Sequence, residues 1–342
     1  MILVTGGTGL LGTYLLYELV ASGNKVKALI RPGRKDSFRQ SLFNCFRCDT
    51  KQIAGSIIWE DGDVLDYDSV CKAMQGVDEV YHCAGMISFN PKDKTLMHKI
   101  NVEGTANIVK ACLDNNVRKL VHVSSISAVG RCDGLIDENI KWMVNDRHSE
   151  YGKSKYYGEQ EVWKGINSGL NAVIVNPSVI IGAGSHDKAM TPFFKGLKRM
   201  LPFYTKGVTG YVDVRDVVNA MILLMRSDVS GERFILNADN VPQKLLFKHC
   251  SEILDVPGPR FYLAKPVLTA AWFAENIRSK ISGTTPGLTL ENVRSVIGVN
   301  RYSALKFSKL FDYKFIPIRD SLEYSMSVLG YNKSEQKTKE VN

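Results

Sequence analysis

A tyrosine and a lysine four positions apart are the residues of this chain best suited to proton transfer. If Tyr151 and Lys155 lie on a helix, they share one face, and the ammonium lies near the phenol. A nearby positive charge favours the phenolate, so we expect the pKa of Tyr151 to fall from about 10 toward the working pH. A phenol with such a pKa can donate a proton to a carbonyl oxygen. A strand pattern that ends in Ser124 and Ser125 precedes the pair, and this order strengthens the signal.

A run of glycines near the first residues is the second signal. Gly6, Gly9 and Gly12 follow a strand pattern and precede a helical one. Glycines there allow a tight turn, a close approach of a pyrophosphate and close packing of helix on strand. The N-terminus of the helix adds N–H groups and the positive end of a dipole. In this position the glycines predict a dinucleotide site.

Basic residues after the second strand pattern bear on which dinucleotide binds. The residue that meets the adenosine ribose is expected about 20 positions beyond the glycines, where this chain has Arg31. An acid there would select NAD, whereas Arg31, with Arg34 and Lys35, suits a 2′-phosphate through charge-assisted contacts. The segment therefore predicts NADP(H), with NAD(H) as the alternative. Solvated loop charges are the other interpretation.

Two further strand ends carry residues that could contact the cofactor. Asp63 follows the third strand pattern, where its carboxylate could accept from an adenine amino group or could cap a turn. The small residues Cys83, Ala84 and Gly85 follow the fourth and would let the backbone run beside the cofactor. His82, just before them, is expected to be a packed strand residue.

Alternating strands and helices are needed to position these residues. Short apolar runs alternate with helical patterns along the first half, which is typical of βαβ units and a parallel sheet. The predicted strands are 2–5, 25–30, 56–60, 79–83, 119–124 and 171–176, and the predicted helices are 10–22, 67–74, 94–115 and 151–168. The expected fold is α/β, with a doubly wound parallel sheet of Rossmann type whose ligands bind beyond the carboxyl ends of the strands.

The second half suggests a smaller lobe. The chain of 342 residues is about two domains long at roughly 150 residues each. We expect a dinucleotide-binding domain over 1–178, with 208–238 returning to it. A mainly helical substrate lobe is expected over 179–207 and 239–330, followed by a flexible tail over 331–342. Phe261, Tyr262, Trp272 and Phe273 either line its pocket or fill its core.

The composition of the chain limits the cellular compartment and the binding partners that we expect. The first residues carry no signal-peptide pattern, and the apolar runs fall short of the roughly 18 residues that span a bilayer, so we expect a cytoplasmic chain without a membrane partner. Seven cysteines fit reduced thiols, and Cys45 with Cys48 lacks the further ligands of a metal site, so no metal is expected. The formal net charge is +9, but the basic residues are spread out, which favours an anionic small molecule over nucleic acid.

Eight motifs in order resemble those of the extended short-chain dehydrogenase/reductases, also called the NAD(P)-dependent epimerase/dehydratase family. They are TGGTGLLG at 5–12, GDVLD at 62–66, HCAG at 82–85, NVEGTANIV at 101–109, VSSISAVG at 123–130, YGKSK at 151–155, NPSVIIGAG at 176–184 and YVDVRDVV at 211–218. The pattern is most similar to the dihydroflavonol-reductase-like and 3β-hydroxysteroid-dehydrogenase-like branch. Such agreement is specific for fold and cofactor class and much less so for substrate.

The resemblance implies roles for four residues. Ser125 would hydrogen-bond the substrate carbonyl, with Ser124 as the fallback. Tyr151 would be the acid/base, Lys155 would contact the ribose and tune the phenol, and Asn101 stands where the family has a helix asparagine. The whole set of expected cofactor contacts is Thr5, Gly6, Gly9, Leu10, Leu11, Gly12, Arg31, Arg34, Lys35, Asp63, Val64, Cys83, Ala84, Gly85, Tyr151, Lys155, Pro177, Ser178 and Val179.

Two departures from the family direct the functional prediction. Ile126 and Ser127 stand where sugar 4,6-dehydratases have an Asp-Glu pair, and Arg31 replaces the acid of NAD-retaining epimerases. We expect an NADP(H)-dependent oxidoreductase that reduces a carbonyl, or oxidises the alcohol, of a small-molecule substrate. The resemblance also implies a homodimer through the helices near 101–115 and 151–168.

Two alternatives stay open. The first is a nucleotide-sugar epimerase with tightly bound NAD, whose substrate diphosphate would meet basic residues such as Lys195, Lys198 or Arg199. The second is a non-catalytic dinucleotide-binding sensor.

Overall fold

A computed structural model describes residues 1–34, 36–46, 48–143, 148–184, 197, 200–282 and 287–331. Its strands are β1 Ile2–Thr5, β2 Val26–Ile30, β3 Ile57–Asp61, β4 Glu79–His82, β5 Lys119–Val123, β6 Leu135–Ile136, β7 Ala172–Pro177, β8 Val179–Ile181, β9 Phe203–Tyr204, β10 Val208–Asp213, β11 Glu232–Leu236, β12 Asp239–Pro242, β13 Phe261–Tyr262 and β14 Arg301–Tyr302. Its α-helices are α1 Leu10–Ala21, α2 Asp36–Ser41, α3 Thr50–Gly55, α4 Tyr67–Met74, α5 Lys94–His98, α6 Gly104–Asp114, α7 Glu150–Asn167, α8 Val214–Arg226, α9 Gln243–Leu254, α10 Lys265–Ser282, α11 Leu290–Ile297, α12 Leu305–Phe311 and α13 Ile318–Val328.

The main sheet has seven strands in the order β11-β7-β5-β4-β1-β2-β3, and every neighbouring pair is parallel. Its central strands are buried on both faces because helices cover both. Residues of α1 and α8, such as Leu15 and Val217, pack on one face, and residues of α4, α6 and α7, such as Val70, Ile108 and Val162, pack on the other. The predicted doubly wound parallel sheet is confirmed.

The seventh strand extends the six that the first half predicts. β11 pairs in parallel with β7 at one edge of the main sheet, with Phe234 opposite Val175. β10, which also falls within 208–238, instead lies in a separate three-stranded sheet of order β12-β10-β8. The chain therefore passes through the small sheet before it returns to the large one.

The helix predicted over 94–115 is interrupted. α5 and α6 are joined by a π-helical turn over Lys99–Glu103, which contains Asn101. Apolar periodicity continues through such a turn, so the pattern could not reveal it. A wider turn of this kind accommodates one extra residue and is common at functional sites.

The second half forms a third core beside the main sheet. Ile181 of β8, Leu246 and Cys250 of α9, and Leu322 and Met326 of α13 are buried together. Two short parallel pairs, β9 with β13 and β6 with β14, lie outside the larger sheets. Phe261, Tyr262 and Phe273 are exposed and Trp272 is partly exposed, so these aromatics do not form a core.

Within the described ranges, no helix is long and apolar enough to cross a bilayer. The same ranges contain no group of three or more His, Cys, Asp or Glu side chains that could hold a metal ion. All seven cysteines carry reduced thiols, with Cys112 and Cys250 buried.

Candidate active site

The carboxyl ends of four adjacent strands bring the predicted site residues to one edge of the main sheet. Gly6 follows β1, Gly85 lies just after β4, and Ser125 comes soon after β5. Pro177 ends β7, which pairs with β5. Because these strands are parallel neighbours, residues that are far apart in sequence meet at a single crevice.

The glycine loop has the geometry of a dinucleotide cradle. Gly6 has a φ of 71°, and a Cβ on it would lie 2.5 Å from the backbone nitrogen of Ala84. A Cβ on Gly12 would lie 2.2 Å from the carbonyl oxygen of Gly6, so glycine lets α1 press against the loop. Gly9, the exposed N-cap of α1, has no side chain to cap the amides of Leu10 and Leu11. Uncapped N–H groups at this end fit a diphosphate.

Thr5 and His82 join the strands beneath this loop. The Thr5 hydroxyl lies 2.7 Å from Nδ1 of His82 and accepts from the backbone nitrogen of Ala84 at 3.3 Å. Nε2 of His82 lies 3.1 Å from the Thr105 hydroxyl. Burial, helped by the charge of Lys155, lowers the pKa of His82 to about 3, so this ring is neutral. His82 is thus a packed strand residue, and the Thr5 hydroxyl is engaged within the protein.

The predicted adenosine end lies in the loops after β2 and β3. Arg31 and Arg34 are exposed after β2, and the Arg34 guanidinium lies 4.6 Å from the ring centroid of Phe38. Lys35 lies outside the described residues. Asp63 accepts from the backbone nitrogen of Leu65 at 3.0 Å, as a turn residue does.

Val64, next to Asp63, is buried against α6. A Cβ on Gly104 would lie 2.8 Å from Cγ2 of Val64, so the two elements are in close contact. The side chain of Val64 thereby anchors the loop after β3.

The two adjacent serines face different neighbours. Ser125 hydrogen-bonds Tyr151, and its hydroxyl also accepts from the backbone nitrogen of Ser127 at 3.1 Å. Ser124 lies near the buried carboxylate of Glu159, but its buried hydroxyl makes no hydrogen bond with the described residues. Spacing in the sequence leaves the register of the two serines open, and the structure places Ser125 with the phenol.

Tyr151 has a pKa above its ordinary value, which corrects the sequence prediction. Burial raises the pKa of Tyr151, and a hydrogen bond donated by Ser125 only partly opposes that rise. The spacing of Tyr151 and Lys155 correctly indicates a shared helix, α7. Lys155 is not among the groups that shift the pKa of Tyr151, and its ammonium donates to the carbonyl oxygen of Val123 at 2.8 Å.

Lys155 is buried beneath the loop that follows β4. Burial lowers the pKa of Lys155 to about 8, although Glu159 and Cys83 act in the opposite direction. A Cβ on Gly85 would lie 3.7 Å from the Lys155 nitrogen. Because Gly85 has no side chain and is exposed, this position is a route from the crevice toward the ammonium.

Asn101 fixes the loop after β4 to α7. Its Oδ1 accepts from the backbone nitrogen of Met86 at 2.8 Å, and its Nδ2 donates to the Met86 carbonyl at 2.9 Å. The same Nδ2 donates to the Ser154 hydroxyl at 2.9 Å. Gly158 on α7 allows this contact, since a Cβ there would lie 2.4 Å from the Asn101 carbonyl oxygen. The π-helical turn therefore places Asn101 between two elements of the site.

The segment after β7 crosses the crevice toward the small sheet. Pro177 is buried at the end of β7, and the backbone nitrogen of Ser178 donates to the carbonyl oxygen of Leu236 at 2.9 Å. Val179 is exposed at the start of β8. Lys195, Lys198 and Arg199 lie outside the described residues.

Three residues that the sequence analysis did not select also belong to this site. Glu159 and Asn176 are fully buried polar residues beside the serines. Phe89 has its ring centroid 6.3 Å from that of Tyr151, with the planes at 70°. A signal was available for Glu159, which stands four positions after Lys155 on the predicted helix, and for Asn176, which is polar within a buried strand.

Together these residues can transfer a proton to an oxygen atom bound beside the phenol. Tyr151 is a neutral phenol with Ser125 beside it, so an acceptor oxygen bound between them would receive a hydrogen bond from each. Phe89 and Ile87, which are 40% and 61% exposed, give the site an apolar mouth.

This chain is similar to known proteins in sequence and in fold. The model of the NAD dependent epimerase/dehydratase family matches residues 2–237. The "Putative dihydroflavonol 4-reductase" of Synechocystis sp. is 31% identical over 314 residues, covering 89% of this chain and 87% of that protein. Sterol demethylase protein B of Methylococcus capsulatus is 30% identical over 267 residues, covering 75% and 76%. The crystal structure of gox2253 superposes with a TM-score of 0.79 at 28% identity, covering 96% of this chain and 97% of that one.

Proposed function

The chain belongs to the NAD dependent epimerase/dehydratase family and is an NAD(P)-dependent oxidoreductase of the extended short-chain type, and from this premise we propose that it reduces a carbonyl group with NADPH. The observation that carries the proposal is the meeting of Ser125, Tyr151 and Lys155 at the carboxyl ends of the sheet. The reverse oxidation of the alcohol uses the same groups.

The chain's own residues account for binding, orientation and proton transfer. A bound nicotinamide dinucleotide supplies the hydride. Ser125 and Tyr151 orient the carbonyl oxygen by hydrogen bonds, and Tyr151 donates its phenolic proton to that oxygen as negative charge develops on it. The Lys155 ammonium, within reach of the exposed Gly85, would hold the ribose.

Apolar groups around the phenol support an apolar or aromatic carbonyl substrate. Phe89 contacts the ring of Tyr151, and Ile87 is exposed beside it in sequence. Rings of this kind bind apolar surface and aromatic partners, whereas a sugar diphosphate requires cations. Relatives named as a reductase and a sterol demethylase protein are in keeping with this class.

The 2′-phosphate of NADPH is proposed to bind Arg31. A charge-assisted hydrogen bond contributes about 1.5–3 kcal/mol, so Arg31→Ala is expected to weaken NADPH binding by about tenfold to a hundredfold and to leave NADH binding nearly unchanged. Titration of nicotinamide fluorescence with each cofactor measures both affinities. Arg260→Ala, which removes an exposed arginine from the loop before β13, is the control and should change neither affinity.

The function itself is tested by turnover. Purified protein is mixed with NADPH or NADH and a panel of aromatic and aliphatic aldehydes and ketones, and the loss of reduced nicotinamide absorbance is followed. We expect turnover that is faster with NADPH. Retained NAD after purification, with no carbonyl reduced by either cofactor, would contradict the proposal and favour the epimerase.

The two serines provide a paired test of the site. Ser125→Ala is expected to lower kcat by about a hundredfold, since it removes a hydrogen bond made to the developing oxyanion. Ser124→Ala should have a much smaller effect because Ser125, and not Ser124, acts on the Tyr151 phenol. Steady-state kinetics at saturating NADPH gives both values. Ser125→Thr keeps a hydroxyl and should retain more activity than Ser125→Ala, and equal losses in the two alanine variants would refute the assignment.

The domain bounds of 1–178 with 208–238, and of 179–207 with 239–330, stay predictions. So do the homodimer and the cytoplasmic location. Leu96 of α5 and Tyr157 of α7 are exposed near the helices through which a second copy is expected to pack.

A further inference from the structure

Glu159 is a carboxylate buried completely inside the protein. It lies on α7 one turn after Lys155, and none of its surface is exposed. A buried carboxylate is costly unless other groups compensate it, so its partners indicate what it does. They are a strand asparagine and an arginine from another strand, and the Lys155 ammonium acts on the carboxylate through its charge.

One arm of this network reaches the Ser125 backbone. Nδ2 of Asn176 donates to Oε1 of Glu159 at 2.5 Å and to the carbonyl oxygen of Ser125 at 2.9 Å. Ser124, the residue before, lies near the same carboxylate without a hydrogen bond to it. The backbone that carries the Ser125 hydroxyl is therefore tied to Glu159 through Asn176.

The second arm is charge. The ionisable groups that act on Lys155 are Glu159 on the same helix and, from neighbouring elements, Cys83, His82 and His122. Burial lowers the pKa of His82 to about 3 and the pKa of His122 far below its ordinary value, so both rings are neutral. Burial also raises the pKa of the Cys83 thiol to about 12. Among the described residues that act on Lys155, Glu159 is thus the one that supplies negative charge.

Arg233 places a second positive charge beside Glu159. Its Nη1 lies 3.5 Å from Oε2 of Glu159, and its Nη2 donates to the carbonyl oxygen of Glu138 at 2.7 Å, which orients the guanidinium. Burial raises the pKa of Glu159, while Ser124, Arg233, Asn176 and Lys155 all oppose that rise. Two cations and the hydrogen bond from Asn176 favour the ionised form of this carboxylate, against the opposing effect of its burial.

We propose that Glu159 is a positioning residue of this site: through Asn176 it fixes the backbone that carries Ser125, and through its charge it holds the Lys155 ammonium. The consequence for catalysis rests on the proposed reductase function, but the effect on Lys155 does not. Without Glu159, the buried ammonium would lose its counter-charge and would release its proton at a lower pH.

The first test measures Lys155 directly in the protein without cofactor. Lysine is labelled with ¹³C at Cε, the Lys155 signal is identified by its absence in Lys155→Arg, and its shift is followed against pH. In Glu159→Gln we expect the midpoint to fall by about one pH unit, within the range of an opposite charge at contact. Glu161→Gln, on the same helix and paired with Lys164, should leave the midpoint in place. An unchanged midpoint in Glu159→Gln overturns the charge arm.

The double variant Glu159→Gln, Arg233→Gln covers the case in which the single variant does not fold. It removes both charges of the pair, so neither is left buried alone. The same fall in the Lys155 midpoint is expected. A midpoint equal to that of the wild type would overturn the charge arm.

The second test uses turnover and separates the two arms. Glu159→Gln should lower the pH at which kcat declines on the alkaline side, by the same amount as the Lys155 midpoint. Asn176→Ala should lower kcat by about tenfold to a hundredfold, as misplaced catalytic groups do, with little change in KM for NADPH. Unchanged kcat in folded Asn176→Ala overturns the positioning arm. Absence of turnover in the wild type would contradict the reductase function alone, because the Lys155 titration still decides on Glu159.

Discussion

Tyr151→Phe is expected to lower kcat by about 10²–10⁴-fold, the usual contribution of a positioned acid or base. The change removes one oxygen and keeps the ring that contacts Phe89. The affinity for NADPH should therefore stay near that of the wild type. Stopped-flow or steady-state absorbance gives kcat, and fluorescence titration gives the affinity for the cofactor.

Tyr157→Phe is the matched control for this variant. Tyr157 lies on the same helix, α7, and is 49% exposed, so loss of its hydroxyl should change neither kcat nor cofactor affinity. If Tyr151→Phe reduces carbonyls at the wild-type rate, the phenol is not the proton donor. If it loses cofactor binding as well as turnover, the effect is structural.

The raised pKa of Tyr151 gives the two directions of the reaction opposite pH dependences. Reduction needs the neutral phenol, which persists through neutral pH because burial raises the pKa. Oxidation of the alcohol needs the phenolate, whose fraction grows as the pH rises. The buried Lys155 ammonium, with a pKa of about 8, loses its charge over the same alkaline range and thereby limits both directions.

Order along the chain determines most of what could be predicted from the sequence. Gly6, Gly9 and Gly12 between strand and helix, and the alternation that follows, predict the parallel sheet because each βαβ unit is local in sequence. The same order places Ser125 and Tyr151 at one edge. What the pattern provides is therefore the identity of the elements and the end of the sheet at which they meet.

Contacts between elements determine the features of the site that the sequence does not predict. Which of Ser124 and Ser125 meets the Tyr151 phenol depends on how α7 packs against β5. The spacing of residues in the sequence does not determine that packing. The interruption at Asn101 depends on its bonds to Met86 and Ser154. The pKa of Tyr151 depends on burial and on its contact with Ser125. In each case a long-range partner decides the outcome.

Gly12→Ala is expected to damage both the fold and the cofactor site. The added Cβ would lie 2.2 Å from the carbonyl oxygen of Gly6 and 2.7 Å from Cα of Gly7, and both are backbone atoms that cannot rotate away. α1 must then move off the loop that would hold the diphosphate. Overpacking of this kind costs about 1–3 kcal/mol, and we expect a lower melting temperature with NADPH affinity reduced by at least about tenfold.

Gly55→Ala distinguishes this clash from the general effect of adding a methyl group to a helix. Gly55 ends α3, and a Cβ there would meet nothing within 4 Å. Alanine restricts the unfolded chain at such a position, so stability should stay the same or rise by up to about 1 kcal/mol. Thermal melts with and without NADPH compare the two variants. If Gly12→Ala has the same melting temperature and NADPH affinity as Gly55→Ala, a methyl group fits between α1 and the glycine loop without displacing either. The close contact between these two elements would then not determine the shape of the cofactor cradle.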